Sequence, residues 1–472
     1  MTQALIAAPQ ESGHYACDTV VPKSSDQQSG DTILPSVETA TDSLSGANQQ
    51  RYTVYGDSAV EARIASLLKD VSRRLSPQLP PSICRTLALI GGYGRGEGGV
   101  ETVSDGSMIP HNNFDFLVIV RESVSVSAMA KLKKELDTLL NEAMEVHNIE
   151  LYLGIVNEQN LRNAPRRVIW HDIVEGHKTL LGDTSFLPEL KRHADPDQIL
   201  SEDVRDLLVN RGTLLLINDV ILDRGELHLT LSDRRAIIRH AMKAILGYGD
   251  ALLWSLGDYH WSYVERQLRM RNQVANVPES FRAQYEMAAE FRFRPRYEEY
   301  LLRDLSAWQD ELRAELESVH WQFEWRRLGK SFEMDWSRLS ERSLATYLPA
   351  PWIEPRLLAR RVWNALRGGP GVDAPIGSHW QARYGMRFTG MRELMPVLFP
   401  AVAYPDAITP DSLIWRSWVT KALGASSDSP IALRRAYLRT WGQHGDVNFP
   451  HTLRVLGISL DEPEMQEAPV HD

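Results

Sequence analysis

The chain has 472 residues, 43% apolar and 24% charged, close to the values of folded globular proteins, which excludes a mini-protein, a collagen-like chain and a wholly disordered one. Its net charge of −10 is concentrated at the ends: residues 1–52 hold six acids against two bases, and residues 461–472 hold five acids and no base. The body is almost neutral, which disfavours a nucleic-acid partner and leaves small anionic substrates open.

Cys17 and Cys84 are the only cysteines, too few for a disulfide framework or a cysteine-based zinc site. No apolar stretch reaches the ~18 residues of a membrane span, and the N-terminus lacks the basic and apolar regions of a secretory signal. A cytoplasmic protein without a membrane partner is expected. Residues 1–52 are rich in Ser, Thr, Gln, Asp and Gly without an apolar period, and read as a disordered acidic leader. From Asp57, the spacing of Val60, Ile64, Leu67, Leu68, Val71 and Leu75 predicts a helix ending near Pro77. Arg85–Ile90 predicts a buried strand that stops at a glycine cluster, and Phe114–Val120 a second strand. A helix is expected over 127–146 and a third strand over 149–156. The first two strands have no helix between them for a right-handed parallel crossover, so an α/β core with mixed pairing and a small sheet is expected. The chain after Glu202 reads as helical, over 203–222, 233–257, 258–275, 281–292 and 297–328. Further helices are expected near 354–366, 390–399, 411–423 and 430–441. The expected division is a first domain at 53–225, a helical domain at 226–345, a mainly helical C-terminal region at 346–460 and an acidic tail at 461–472.

Chemistry concentrates in Gly91-Gly-Tyr-Gly-Arg-Gly-Glu97, directly after the first strand, in Asn113-Phe-Asp115 at the head of the second and in Glu150 on the third. A glycine turn at a strand end lets backbone N–H groups approach a phosphate without interference from Cβ. Residues 113 and 115 point to one side of their strand, and a carboxylate on a neighbouring strand can converge with them on Mg²⁺, which takes oxygen ligands and is shared with substrate phosphates. Downstream, Arg239, Lys243 and Asp250 share one side of a helix, and His260 and Tyr263 lie near a helix junction. Twelve of the thirteen tryptophans lie beyond residue 250, which fits helix packing better than an aromatic acceptor cleft. Arg356, Arg360, Arg361 and Arg367 read as a solvated helix face.

The segment 91–97 followed by Asn113-x-Asp115 resembles the signature of the polymerase-β-like nucleotidyltransferases, in the version found in protein-PII uridylyltransferases. The resemblance spans roughly residues 57–225, with its motifs in 87–120. It implies an α/β nucleotidyltransferase domain followed by a helical region, with Gly91 and Gly92 on the nucleotide phosphates. Asn113 and Asp115 would form the metal-holding pair, Glu150 the third acid, and two Mg²⁺ ions the cofactor. Asp115 and Glu150 would be the catalytic residues. Arg95 would contact the triphosphate or fix the loop by a salt bridge, and Lys243 would reach the triphosphate from the helical domain. Asp172 and Leu180-Leu-Gly-Asp183 resemble the helix and turn that close such domains. The implied activity is transfer of a nucleoside monophosphate from ATP or another NTP to a small-molecule or protein acceptor, with release of pyrophosphate. The chain departs from the pattern at Asn113, where the family has Asp, and in a long spacer, 98–112, that contains Glu101, Asp105 and His111. No downstream phosphohydrolase pattern follows, unlike in the uridylyltransferases. The departure at Asn113 leaves a second reading, a catalytically degenerate nucleotide-binding regulator that contacts a partner protein.

Overall fold

The computed structural model describes residues 51–329, 335–348, 355–375, 378–404, 413–445 and 449–460; the tail and all but the last two residues of the expected leader lie outside them. Arg51 and Tyr52 belong to the fold rather than to a leader: Arg51 donates to the Gly56 carbonyl and the Tyr52 N–H to Glu61, at 2.7 and 2.9 Å. The chain forms two compact units. The first runs to Ala164 and adds Asp172–Ala194 and Phe293–Pro295, and the second takes Pro165–His171, Asp195–Arg292 and the chain from Arg296 onward.

In the first unit, helix α1 (Ser58–Leu75) starts at Asp57, whose side chain accepts from the Val60 N–H, and buries the six apolar residues named above. Strand β1 (Cys84–Ile90) runs into the short helix α2 (Gly91–Arg95), then into a separate hairpin of β2 (Val100–Thr102) and β3 (Met108–Pro110). Strand β4 (Phe114–Val120), helix α3 (Val126–His147), strand β5 (Leu151–Asn157), the short helix α4 (Glu158–Arg162), helix α5 (Val168–Glu175), which crosses into the second unit, and strand β6 (Lys178–Gly182) follow. The sheet order is β5-β4-β1-β6, with β4 antiparallel to β1 and parallel to β5, the mixed pairing expected of two strands joined without a helix. Alternation gives the sheet two faces. Leu87, Leu89, Phe114, Phe116, Val118, Leu151, Leu153 and Ile155 share one core with α1 and α3. Asp115 and Tyr152, paired in register, belong to the opposite face.

The second unit is helical: α6 (Ser201–Leu222), α7 (Leu231–Ser255), α8 (Tyr263–Asn272), α9 (Glu279–Phe293), α10 (Glu298–Leu301), α11 (Leu305–Arg327), α12 (Trp336–Ala345), α13 (Pro355–Leu366), α14 (Trp380–Arg387), α15 (Met391–Ala403), α16 (Leu413–Leu423), α17 (Pro430–His444) and α18 (Phe449–Val455). Its boundaries differ from the sequence division because burial is shared. Leu208 and Leu216 of α6, Ile245 of α7, Leu316 of α11, Phe399 of α15 and Trp441 of α17 lie in one continuous core. Asp219 on α6 adds a polar tie, pairing with Arg313 of α11 and Arg434 of α17 at 2.5 and 3.0 Å. Trp308, Trp336, Trp415, Trp418 and Trp441 are buried in the same core, and Trp336 stacks on Tyr404, so packing accounts for these tryptophans. Among the described residues no helix is long and apolar enough to cross a membrane.

Candidate active site

The glycine motif turns the chain at the end of β1. Gly91 has a φ of +69°, a left-handed conformation that glycine adopts without steric cost, and Ile90 before it pairs with Asp115. A Cβ on Gly91 would stand 2.8 Å from Asp115 Oδ2, so only a residue without a side chain lets the turn pass this close to that carboxylate. The motif then forms α2 rather than an irregular loop. Gly94 lets this helix fold back onto the strand, since a Cβ there would come within 2.5 Å of the Leu89 carbonyl oxygen. Tyr93 anchors the turn: its ring stacks on Phe114 with centroids 4.0 Å apart, and its hydroxyl donates to the Gly99 carbonyl at 2.8 Å. Gly92 is buried and its carbonyl accepts from the Glu97 N–H at 2.8 Å. The left-handed residue of the pair is therefore Gly91, not Gly92. Arg95 is buried between Glu97 and Asp172, 3.5 and 3.7 Å away, the loop-fixing arrangement named as one of its two readings.

Asn113 and Glu150 stand just before β4 and β5 rather than inside them. The Phe114 N–H donates to the Glu150 carbonyl at 2.9 Å and keeps the two strand heads level. Asn113 is buried and its amide donates to Asp115 Oδ1 at 2.8 Å, so residues 113 and 115 converge as their spacing requires. The other oxygen of Asp115, Oδ2, lies against Gly91. Tyr152, in register with Asp115, donates its hydroxyl to Glu150 Oε2 at 3.1 Å. Tyr152 is the site residue that sequence reasoning missed; the signal was its i, i+2 position from Glu150.

Among the described residues no group of three or more Asp, Glu, His or Cys is placed to hold a metal ion. The donors present, Asp115 and Glu150 with the neutral Asn113, offer hard oxygens but no protein-only cage. They fit the way Mg²⁺ is commonly bound, by one or two carboxylates with substrate phosphates supplying further ligands. The spacer supplies no replacement acid at position 113. Asp105 stands at the exposed tip of the β2–β3 hairpin, where it accepts from the Ser107 N–H and hydroxyl, and Glu101 pairs with His111 at 2.9 Å. Gly182 ends β6, and Asp183 after it pairs with Arg85 at 2.6 Å. Cys84, at the far end of β1, is buried, which pushes its thiol up to about 11 and removes it as a nucleophile.

Lys243 lies outside this set, on α7 of the second unit. Asp250 does not share a solvated side with it. Asp250 is buried and accepts from Arg266 at 2.7 Å, from the Tyr285 hydroxyl at 2.7 Å and from the Tyr263 hydroxyl at 2.9 Å. Tyr263 and His260, whose carbonyl accepts from Arg266, are thus parts of a buried polar network.

No protein-family model matches the sequence, and no curated protein matches it. Among solved structures the chain is similar to a spectinomycin adenyltransferase from Enterococcus faecialis, crystallised with ATP and spectinomycin. That likeness covers 55% of this chain and 99% of the other at 12% identity, with a TM-score of 0.33, too distant to assign a function. The residues of the site carry the functional reading.

Proposed function

We propose that the chain is a nucleotidyltransferase that moves a nucleoside monophosphate from an NTP to a hydroxyl or phosphate oxygen of a small-molecule or protein acceptor. The acceptor oxygen forms a bond to the α-phosphorus, the bond from that phosphorus to the bridging oxygen breaks, and pyrophosphate leaves. The observation that supports this reading most is the junction of Gly91 and Asp115, where a carboxylate oxygen lies directly against a left-handed glycine at the end of a strand. A triphosphate lying along Gly91 and Gly92 would bring its oxygens to that carboxylate. Asp115 and Glu150 are the residues that would hold Mg²⁺, which when bound neutralises phosphate charge and orients the reacting groups. Asn113 fixes the Asp115 carboxylate by donating to Oδ1, and Tyr152 fixes Glu150. Where Glu150 does not serve as a metal ligand, it is proposed as the base that takes the acceptor proton. Lys243 is proposed as a triphosphate contact, and Arg95 as a residue that shapes the loop.

A second reading is favoured by one feature: the amide at position 113 leaves the site one carboxylate short, which suits a protein that binds nucleotide without turnover. Incubation with each α-labelled NTP and Mg²⁺, with and without a metabolite extract, separates the two. Label transfer that Asp115→Ala lowers by several orders of magnitude is the expected result. Tight NTP binding without transfer supports the regulator, and transfer that survives Asp115→Ala refutes the site.

A further inference from the structure

Helices α13 and α14 present to solvent the faces that packed helices usually bury. On α13 the inward position belongs to Arg361, which is buried and donates to the carbonyls of Thr346 and Leu348 at 3.0 and 3.1 Å. Ala359, Val362, Trp363 and Leu366, at the i, i+3, i+4, i+7 spacing of a single helix face, are all exposed. Trp363 is 57% and Leu366 76% exposed. On α14 the outward residues include Trp380 and Tyr384, one turn apart and 54% and 53% exposed, while Ala382 and Met386 face the core. The two helices meet at their C-terminal ends: the Asn364 amide donates to the Phe388 carbonyl at 3.3 Å, and a Cβ on Gly369 would come within 3.2 Å of the Met386 carbonyl oxygen. Soluble proteins keep contiguous exposed apolar patches small unless something covers them.

The charge of the same segment identifies the kind of cover. Residues 355–391 contain six arginines and one acid, Asp373, in a chain whose net charge is −10. Arg361 is turned inward and Arg360 pairs with Glu393. Arg367, Arg383 and Arg387 are exposed and pair with no carboxylate among the described residues. Arg367 lies over the Trp363 ring at 5.2 Å and Arg387 over the Tyr384 ring at 5.5 Å, which sets cations directly beside the exposed aromatic rings.

We propose that the α13–α14 face docks on an anionic lipid surface. Trp363, Leu366, Trp380 and Tyr384 enter the boundary between headgroups and acyl chains, and Arg367, Arg383 and Arg387 meet the headgroup phosphates. An aromatic ring with a guanidinium over it matches the depth at which a bilayer changes from apolar to charged. Single-stranded nucleic acid fits less well, because Val362 and Leu366 in the stripe give a base no ring to stack on. The absence of a spanning segment, on which the expectation of no membrane partner rested, does not bear on a helix that lies in the surface plane. The overall negative charge opposes approach to an anionic bilayer everywhere except at this face, so binding is local and weakens as salt rises.

The test is sedimentation of the full chain with vesicles of phosphatidylcholine, with and without phosphatidylglycerol. Pelleting with the phosphatidylglycerol vesicles alone, reversed by high salt, is expected. Trp363→Ser with Leu366→Ser, and separately Arg367→Glu with Arg387→Glu, each lower the bound fraction about tenfold. Circular dichroism and unfolding midpoint should stay unchanged, because these side chains are exposed. If a double variant misfolds, Arg383→Glu reads the charge contribution alone and should also lower binding. Equal pelleting with both vesicle types, or retention unaffected by every folded variant, overturns the proposal. So does capture by a single-stranded oligonucleotide in place of vesicles, or a dimer that Trp363→Ser with Leu366→Ser abolishes.

Discussion

Gly91 is the residue at which conformation and chemistry coincide. In Gly91→Ala a Cβ would both force an L side chain to φ +69°, at about 1–2 kcal/mol, and press on Asp115 Oδ2. NTP affinity measured by titration should fall far more than that modest stability loss explains, and unchanged affinity in a folded Gly91→Ala would remove the phosphate role. Asn113 tests the metal. Its amide donates to a buried carboxylate, so Asn113→Asp exchanges that donor for a second acid against Asp115. In metal-free buffer the variant should lose about 1–3 kcal/mol, because like charges at this distance cannot both ionise cheaply. Mg²⁺ should restore that loss and raise the unfolding midpoint of Asn113→Asp well above its effect on the parent chain. If Mg²⁺ moves both midpoints equally, position 113 does not face a metal. Transfer by Asn113→Asp where the parent has none would mean that the amide alone had silenced the site.

The turn element depends on Arg95. Its guanidinium lies between two carboxylates that have little access to water, and its removal leaves Glu97 and Asp172 facing each other's field. Arg95→Met is therefore expected to cost about 3 kcal/mol in denaturant unfolding, with Arg95→Lys recovering part of it; an unchanged midpoint would show that the pairs contribute only orientation. Much of this element was legible in sequence: the strand into the glycines, the second strand at Phe114–Val120, and the convergence of residues 113 and 115 all follow from apolar runs and period-two alternation. What was not legible has physical causes. Helix α2 holds three glycines in five residues and exists because its turn packs on Leu89 and Tyr93 packs on Phe114, contacts that local propensity does not encode. Strands β2 and β3 are three residues each, too short for alternation to register. Edge strand β6 is half-exposed and so lacks an apolar run. Tyr152 stayed hidden because strand register, which sets it opposite Asp115, is a tertiary quantity.

At the scale of the whole molecule, the helical unit stores buried titratable groups whose signs oppose each other. His320 is enclosed by Tyr248, Trp336, Phe399 and Tyr404, and burial lowers it to about 4 despite the attraction of Glu324, with Arg327 and Arg205 acting in the same direction as burial. His240, against Asn218 at 2.8 Å, is lowered by burial and by Arg239 and Lys243. A histidine depressed in the folded state binds its proton more readily when unfolded. Its stabilisation is complete above the unfolded value near 6.5 and is lost as pH falls from there toward 4. For His320 alone this amounts to something on the order of 3 kcal/mol. Asp203 works the other way. Burial raises it to about 6, beyond what Arg167 and the Val168 N–H offset, so its contribution is present below about 4 and lost as pH rises through 6. Between pH 6.5 and 4 the two histidines therefore dominate, and the unfolding midpoint should fall on acidification. His320→Gln should flatten that fall. Asp203→Asn, which removes the opposing group while keeping an acceptor for Val168, should steepen it. Midpoints measured by circular dichroism at half-unit pH steps decide the matter: parallel curves for the parent, His320→Gln and Asp203→Asn would mean that none of these groups titrates across the folding transition.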